Sequence, residues 1–455
     1  MTTNLAFGTP TLTVRNNRGA VARMLRYNRQ SAEDALDERI ERTTCDALGR
    51  VASHIDARLF AAAGSARPNF VYVSSLSGHV LRTDSVDAGT QLALPDVDGR
   101  PVWAHDARDT TTTWTYDPLG RPLTLQETPS GQALATREVW FYGETQSDAQ
   151  LNNMRGRCVC CYDTAGKRSW SGFRLTGQPL DETRQLLADA EGPSDWSGQE
   201  AAWASALDTS AYTTGWMHDA IGAWWMQTDA KRNVQQRAFN VAGQVASSSL
   251  TLYQQAQVQP VLSSIEYTAA GQVLTETAGN GTVSSHAYEP ETQRLIGLTV
   301  TRPAQASRAT VVQDLSYTYD PVGNVVRVSD AAQATSYWRN QKIAPARIYG
   351  YDALYQLVSA TGREMANRGT QGHTLPTPII PLPSDDSVYA NYSRTYTYDR
   401  GGNLTAIQHQ GAANYAQAIV VSNQSNHAML QNVTSSLTPD GIDSGDWFDA
   451  AGNQQ

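Results

Sequence analysis

One short phrase recurs irregularly along the chain and limits its fold more than any other feature. It reads aromatic, Asp, two residues, Gly, then Arg, Asn or Gln, then an aliphatic. The clearest copies are Tyr116-Asp117-Pro118-Leu119-Gly120-Arg121, Tyr319-Asp320-Pro321-Val322-Gly323-Asn324-Val325 and Tyr398-Asp399-Arg400-Gly401-Gly402-Asn403-Leu404. Weaker copies run from Cys45 to Val51, Tyr162 to Lys167, Phe239 to Val245, Tyr267 to Val273, Tyr351 to Leu357 and Phe448 to Asn453. Self-similarity at periods of about 20–50 residues marks a repeat architecture.

The phrase is flanked by strict alternation, as in Ser316-Tyr317-Thr318-Tyr319 and Thr395-Tyr396-Thr397-Tyr398, which is the period of a strand. Asp suits the first position of a type I turn, where its carboxylate caps amides two residues on. Gly at the fourth position takes positive φ without steric cost and lets the chain reverse through a bulged hairpin. Two strands and a tight turn make a unit of roughly twenty residues. Asp219 to Asn240 and Thr268 to Glu289 are each 21 residues apart. The longer step of 47 from Asp352 to Asp399 implies an inserted loop or degraded copies. The expected fold class is all-β: repetitive antiparallel hairpins. Residues 1–40 read as an N-terminal segment leading into the array, with Thr11-Leu12-Thr13-Val14 a strand and Asn16-Asn17-Arg18-Gly19 its turn. Residues 41–455 read as the repeat region.

Composition agrees. Only 17% of the 455 residues are charged, which suits sheet with neutral polar faces rather than amphipathic helices. A net charge of −9 without a Lys/Arg cluster argues against a nucleic-acid partner. No apolar run reaches the roughly 18 residues of a membrane span. Met1-Thr2-Thr3-Asn4-Leu5 has neither a basic nor an apolar leader region, so no Sec signal is visible. Three of four cysteines crowd together as Cys158-Val159-Cys160-Cys161, with no second ligand pair for a metal, and read as structural.

Three stretches interrupt the repeats. Pro179 to Leu187 has a helical period with Asp181 placed as a cap, and continues into an acidic stretch through Trp196. His373 to Pro383 is proline-rich and reads as a long ordered loop on the sheet, a proline-motif ligand being the sharper alternative. Asp440 to Asp446 is acidic but lacks the alternating ligands and distal Glu of a calcium loop, and reads as a solvated turn. The last phrase, Phe448 to Gln455, completes a turn before any returning strand, so the array is expected to be cut within a repeat.

No organised catalytic constellation stands out. The repeated Asp residues imitate glycosidase carboxylates, but turn capping already explains them. His218 stands where other copies have an aromatic or Cys, and reads as a tolerated substitution rather than a general base. The many Tyr and Trp read as cross-strand packing before sugar stacking. Catalytic, cofactor-binding and metal-binding residues: none are assigned.

Several stretches together resemble the RHS/YD-repeat family, and within it the C-component, the TccC-like proteins, of bacterial insecticidal toxin complexes. They are Thr9 to Gly19, Tyr162 to Gly166, Leu175 to Leu180, Tyr349 to Tyr355, Thr361 to Glu364 and Pro376 to Pro383. Tyr288 to Leu295 is a repeat variant shared more widely. The resemblance covers essentially the whole chain. It implies repeats that spiral into part of a large hollow shell, built jointly with a B-component. That shell would enclose a toxic C-terminal polypeptide, released by self-cleavage and delivered through an A-component channel. The family's self-cleaving aspartates lie in a closing Asp-Pro motif. Here the only Asp-Pro pairs, Asp117-Pro118 and Asp320-Pro321, are ordinary repeat turns. The expectation is therefore the N-terminal part of a C-component: a noncatalytic shell protein, cytoplasmic at synthesis and secreted within a toxin complex. The alternative from another class is a secreted or surface carbohydrate-binding repeat protein; a glycosidase comes third.

Overall fold

The computed structural model describes residues 5–62, 67–366, 388–431 and 437–455. Strands follow one another from Leu12–Arg15 to Ala428–Leu430, and every pairing described between consecutive strands is antiparallel. The chain divides into two compact units. One comprises Met1–Leu92, Ala287–Thr299 and Val311–Gln455, the other Ala93–His286 and Val300–Thr310.

Simple connectivity puts successive reversals at alternate strand ends. Within each unit most Asp-x-x-Gly turns fall at one end, called here the turn end; Asp163-Thr164-Ala165-Gly166 reverses the chain at the other. Residues 56–69, 187–211 and 331–345 all connect strands at the opposite, loop end. A short hairpin, Ser336–Trp338 with Gln341–Ile343, rises from the last of these.

Several repeat strands, among them Pro122–Thr128, Trp224–Thr228 and Val245–Thr251, are half-buried along both faces, while others such as Val283–Tyr288 alternate. Their stability comes from cross-strand pairs instead of a deep core. Small hydroxyls meet across the ladder, Thr115 with Thr124 at 2.7 Å and Ser316 with Ser329 at 2.7 Å. Conventional cores are local. Val139, Tyr162, Trp196 and Trp203 form one in the Ala93–His286 unit, and Met429, Leu437 and Ile442 form another near the C-terminal residues.

Two interruptions differ from expectation. The helix expected over 179–187 is the strand Asp181–Leu186, paired with Gly166–Ser169 and with Tyr212–His218. Backbone bonding on both sides outweighs a weak local period, because Leu186 has no apolar surface to cover. Asp181 caps nothing and accepts instead from the Ser171 amide at 2.9 Å. The acidic 440–446 stretch is helical over Pro439–Ser444, capped by Thr438 and anchored by buried Ile442. The proline-rich 373–383 segment lies outside the described residues.

Candidate functional site

The repeated turn is the feature from which any site must be built. In the Asp117 turn, the Gly120 amide donates to the Asp117 carbonyl at 2.9 Å, and the Asp117 amide to the Arg121 carbonyl at 2.9 Å. One Asp117 carboxylate oxygen accepts from the Leu119 and Arg121 amides, both at 2.9 Å. The other accepts from the Arg121 guanidinium at 2.6 Å. Asp320 repeats the pattern with the Asn324 side chain as donor at 2.7 Å, and Asp399 with Asn403 at 2.9 Å. This explains the Arg, Asn or Gln after the glycine: it returns to the carboxylate that opened the turn. Gly120 and Gly323 sit at φ +80° and +109°, the left-handed region that a bulged reversal requires.

Many turns are also wired to a neighbouring one. The Tyr116 hydroxyl donates to the Pro101 carbonyl, Tyr142 to Pro122, Tyr319 to Leu295, Tyr351 to Val325 and Tyr398 to Leu357. In every instance the acceptor opens the returning strand of the preceding hairpin. The preceding turn's Arg lies over the same ring, Arg121 at 4.0 Å from the Tyr142 centroid and Arg100 at 5.2 Å from that of Tyr116. Arg100 reaches across Gly120, Arg157 across Gly177, Gln178 across Gly222 and Arg294 across Gly323. The turns thus form a ladder along the turn end of each unit.

The turn carboxylates of Asp46, Asp117, Asp320 and Asp399 are engaged on both oxygens. Arg50 and its own amide hold Asp46 below the usual carboxylate range. At Asp117 and Asp320 burial pushes upward, but the amide and side-chain donors outweigh it and both are held low. A depressed folded value contributes stability that is complete above the unfolded carboxylate range and is lost as pH falls through the folded values. Urea midpoints should therefore be flat from about pH 5 to 8 and fall below about pH 4. Asp117→Asn keeps the amide acceptor, as natural Asn240 shows with bonds from Ala242 and Gln244, and should flatten its share of that fall.

In the unit holding both chain ends, turn ends are covered by loop ends. Asn28 donates to buried Asp352 at 3.0 Å, and the Ala353 amide to the Arg29 carbonyl at 3.0 Å. Arg58 pairs with Asp399 at 3.3 Å and donates to the Ser422 and Ser425 carbonyls. Arg400 pairs with Asp37 at 2.8 Å, and Asp87 receives the Asn426 amide and side chain. Hairpins more than three hundred residues apart are joined along this seam.

Comparison with known proteins bears on this arrangement. Residues 412–455 match a family model described as the Tripartite Tc toxins repeat. Toxin subunits YenC2 and YenC1 of Yersinia entomophaga are each 43% identical over 98% of this chain. The chain spans about half of their length, 48% and 46%. It superposes with TM-score 0.91 on a chain in the crystal structure of TcdB2-TccC3, at 43% identity, covering 99% of itself and 22% of that chain. The Photorhabdus luminescens Tc holotoxin pore gives TM-score 0.90 over 98% of this chain and 21% of that one. The chain belongs to the RHS/YD-repeat family of Tc toxin C-components.

The remaining residues singled out from the sequence take structural places in this C-component. His218 is buried, and that burial, then Arg174, lowers its pKa, so it is held neutral in the strand Tyr212–His218. Burial pushes the Cys160 thiol up to about 12 and Cys161 to about 11, which suppresses the reactive thiolate. Asp440 accepts from Asn423 at 3.1 Å and Asp443 from the Ser422 hydroxyl. No group of three His, Cys, Asp or Glu suited to a metal occurs among the described residues. The Phe448 phrase forms its turn, its ring stacked on His427 at 4.2 Å, and Phe448 bridges Gln454.

Sequence reasoning missed one polar cluster. Buried His409 stacks between Tyr392 and Tyr415, receives the Arg394 Nε–H at Nδ1 and meets Glu364 at 3.0 Å through Nε2. Arg394 donates also to the Tyr415 hydroxyl at 2.9 Å. Four successive strands supply these residues, and only their register, not their spacing, brings them together. Glu364 also accepts the Ala412 amide, so the cluster is a hydrogen-bonded fastening between strands.

Proposed function

We propose that this chain is a noncatalytic wall of a Tc-type toxin complex. With a B-component it would form a hollow shell that encloses a toxic C-terminal polypeptide for delivery through an A-component channel. One observation carries the reading: near-complete superposition, at 43% identity, on a chain of the TcdB2-TccC3 crystal structure. The physical character of the fold supports it. A meander of self-wired hairpins grows a surface at constant cost per unit, as an enclosing wall requires. The repeated carboxylates are consumed by turns and by the seam, which supports a role without catalysis. The complex would be secreted, with this chain made in the cytoplasm.

The test is co-expression with a Tc B-component. The expected outcome is an equimolar complex that survives size-exclusion chromatography and moderate salt. Separate elution of the two proteins would contradict the proposal.

A further inference from the structure

The turn ladder of the Ala93–His286 unit has one open step, from the Asp219 turn to the Asn240 turn. The steps on either side are bridged. Gln178 reaches across Gly222 from the preceding turn, and the Tyr267 hydroxyl donates back to the Val245 carbonyl at 2.8 Å. Earlier steps carry Tyr116 with Arg100, Tyr142 with Arg121, and Arg157. Between residues 219–223 and 239–244 no hydrogen bond occurs among the described residues.

Three departures from the repeated phrase coincide at this step. Ala223 follows Gly222 where the phrase has Arg, Asn or Gln, so no side chain returns to Asp219 or reaches forward. One Asp219 carboxylate oxygen accepts the Ile221 and Ala223 amides at 3.0 and 2.9 Å; the other meets no donor among the described residues. The Gly222 amide meets the Asp219 carbonyl at 3.3 Å, against 2.9 Å for Gly120 and Asp117. His218 holds the aromatic position of this phrase, buried, with Nδ1 lacking a partner among the described residues. Phe239 holds that of the next phrase and has no hydroxyl. Elsewhere the hydroxyl's acceptor lies five residues after the turn's first residue, as Pro122 after Asp117 and Val325 after Asp320. The same offset from Asp219 reaches Trp224, whose carbonyl Phe239 cannot serve.

The strands that meet here are Trp224–Thr228 and Val234–Phe239. They pair through Met226–Gln236, Gln227–Gln235 and Thr228–Val234, beside the Asp229 turn at the loop end. Nearer the turn end, the Arg237 guanidinium lies 3.6 Å over the Trp224 ring. We propose that this step is a hinge. Its two strands part at the turn end, pivot on their loop-end pairs, and are latched by Arg237 on Trp224. Motion concentrates where the fewest bonds oppose it, so the sheet changes curvature along this line while the bridged hairpins beside it move as blocks.

Amide exchange of the complete chain, corrected for the intrinsic rate of each amide, tests the hinge. The Asp219, Gly222 and Ala223 amides should exchange at least about 10-fold faster than those of Asp117, Gly120 and Arg121, because two fewer hydrogen bonds oppose opening. The Met226–Gln236 and Thr228–Val234 pairs should stay protected. Ala223→Arg with Phe239→Tyr restores the returning donor and the hydroxyl, and should bring the turn to within about 3-fold of the Asp117 turn. Phe239→Tyr alone adds one oxygen where other copies have Tyr; it should give part of that slowing, and it keeps the test available if the pair misfolds. Arg237→Ala should release the latch and speed exchange at the turn by about 3-fold or more. Equal exchange at the two turns in the wild type overturns the hinge. So does fast exchange that neither restoring variant slows. Loss of protection that extends to the loop-end pairs also overturns it, since that is unfolding of the hairpin rather than a pivot.

Discussion

Trp196→Ala should open the Ala93–His286 unit locally while leaving the repeat ladder intact. Trp196 is 1% exposed, packed at 5.0 Å from the Tyr162 ring and 5.8 Å from Trp203. Its indole N–H donates to the Asp163 carbonyl at 2.9 Å, and its amide to Thr136 at 2.7 Å. The substitution removes a large apolar volume from one of the few enclosed cores and strands a backbone acceptor. A cost of about 3–5 kcal/mol follows. Amide exchange in Ala135–Tyr142 and Cys158–Asp163 should accelerate by at least about 100-fold. Exchange in Val311–Tyr319 should not change. Trp196→Phe keeps a ring and loses only the donor, and should fall between. Unaltered exchange in Trp196→Ala would show that this core does not hold the insertion on the sheet.

Asp352→Ala and Asp117→Ala alter the same position of the same phrase, yet their costs should differ severalfold. Asp352 is 2% exposed and accepts from Asn28, Leu354 and Gln356 at 3.0, 2.9 and 2.8 Å. Truncation leaves those donors in a site that water reaches poorly, at a cost of about 3 kcal/mol or more. Asp117 accepts from the Leu119 and Arg121 amides and the Arg121 guanidinium in a surface turn where water reaches the released donors, and its loss resembles a deleted exposed cap, a severalfold smaller cost. The two effects also differ in place. Asp352→Ala should raise exchange in Val21–Asn28 as well as Ala346–Tyr351, because the seam joins them. Equal costs for the two variants would mean that the seam adds nothing to the ordinary turn.

The turn chemistry was legible in the sequence because each of its parts lies within seven residues. Asp, Gly and the flanking alternation named the hairpin, its bulge and the all-β class. Arg or Asn after the glycine was visible as a pattern, but its return to the Asp carboxylate needed coordinates. The 179–187 stretch misled because its local apolar spacing was read without the two strands that pair with it. The seam was illegible for a plainer reason: Asn28 and Asp352 are 324 positions apart, and nothing local marks either as a partner. The His409 cluster depends on the register of four strands, which alternation leaves open by even steps.

Enclosure is the claim to test most directly. A flexible peptide reporter fused after Gln455 should be cut rapidly by a broad-specificity protease when this chain is alone. In the purified complex with a B-component it should survive under conditions that digest an added free copy of the same peptide. Protection only in the complex is the result expected of a wall that closes around a cargo. Digestion at the same rate in the complex and in the isolated chain would contradict it.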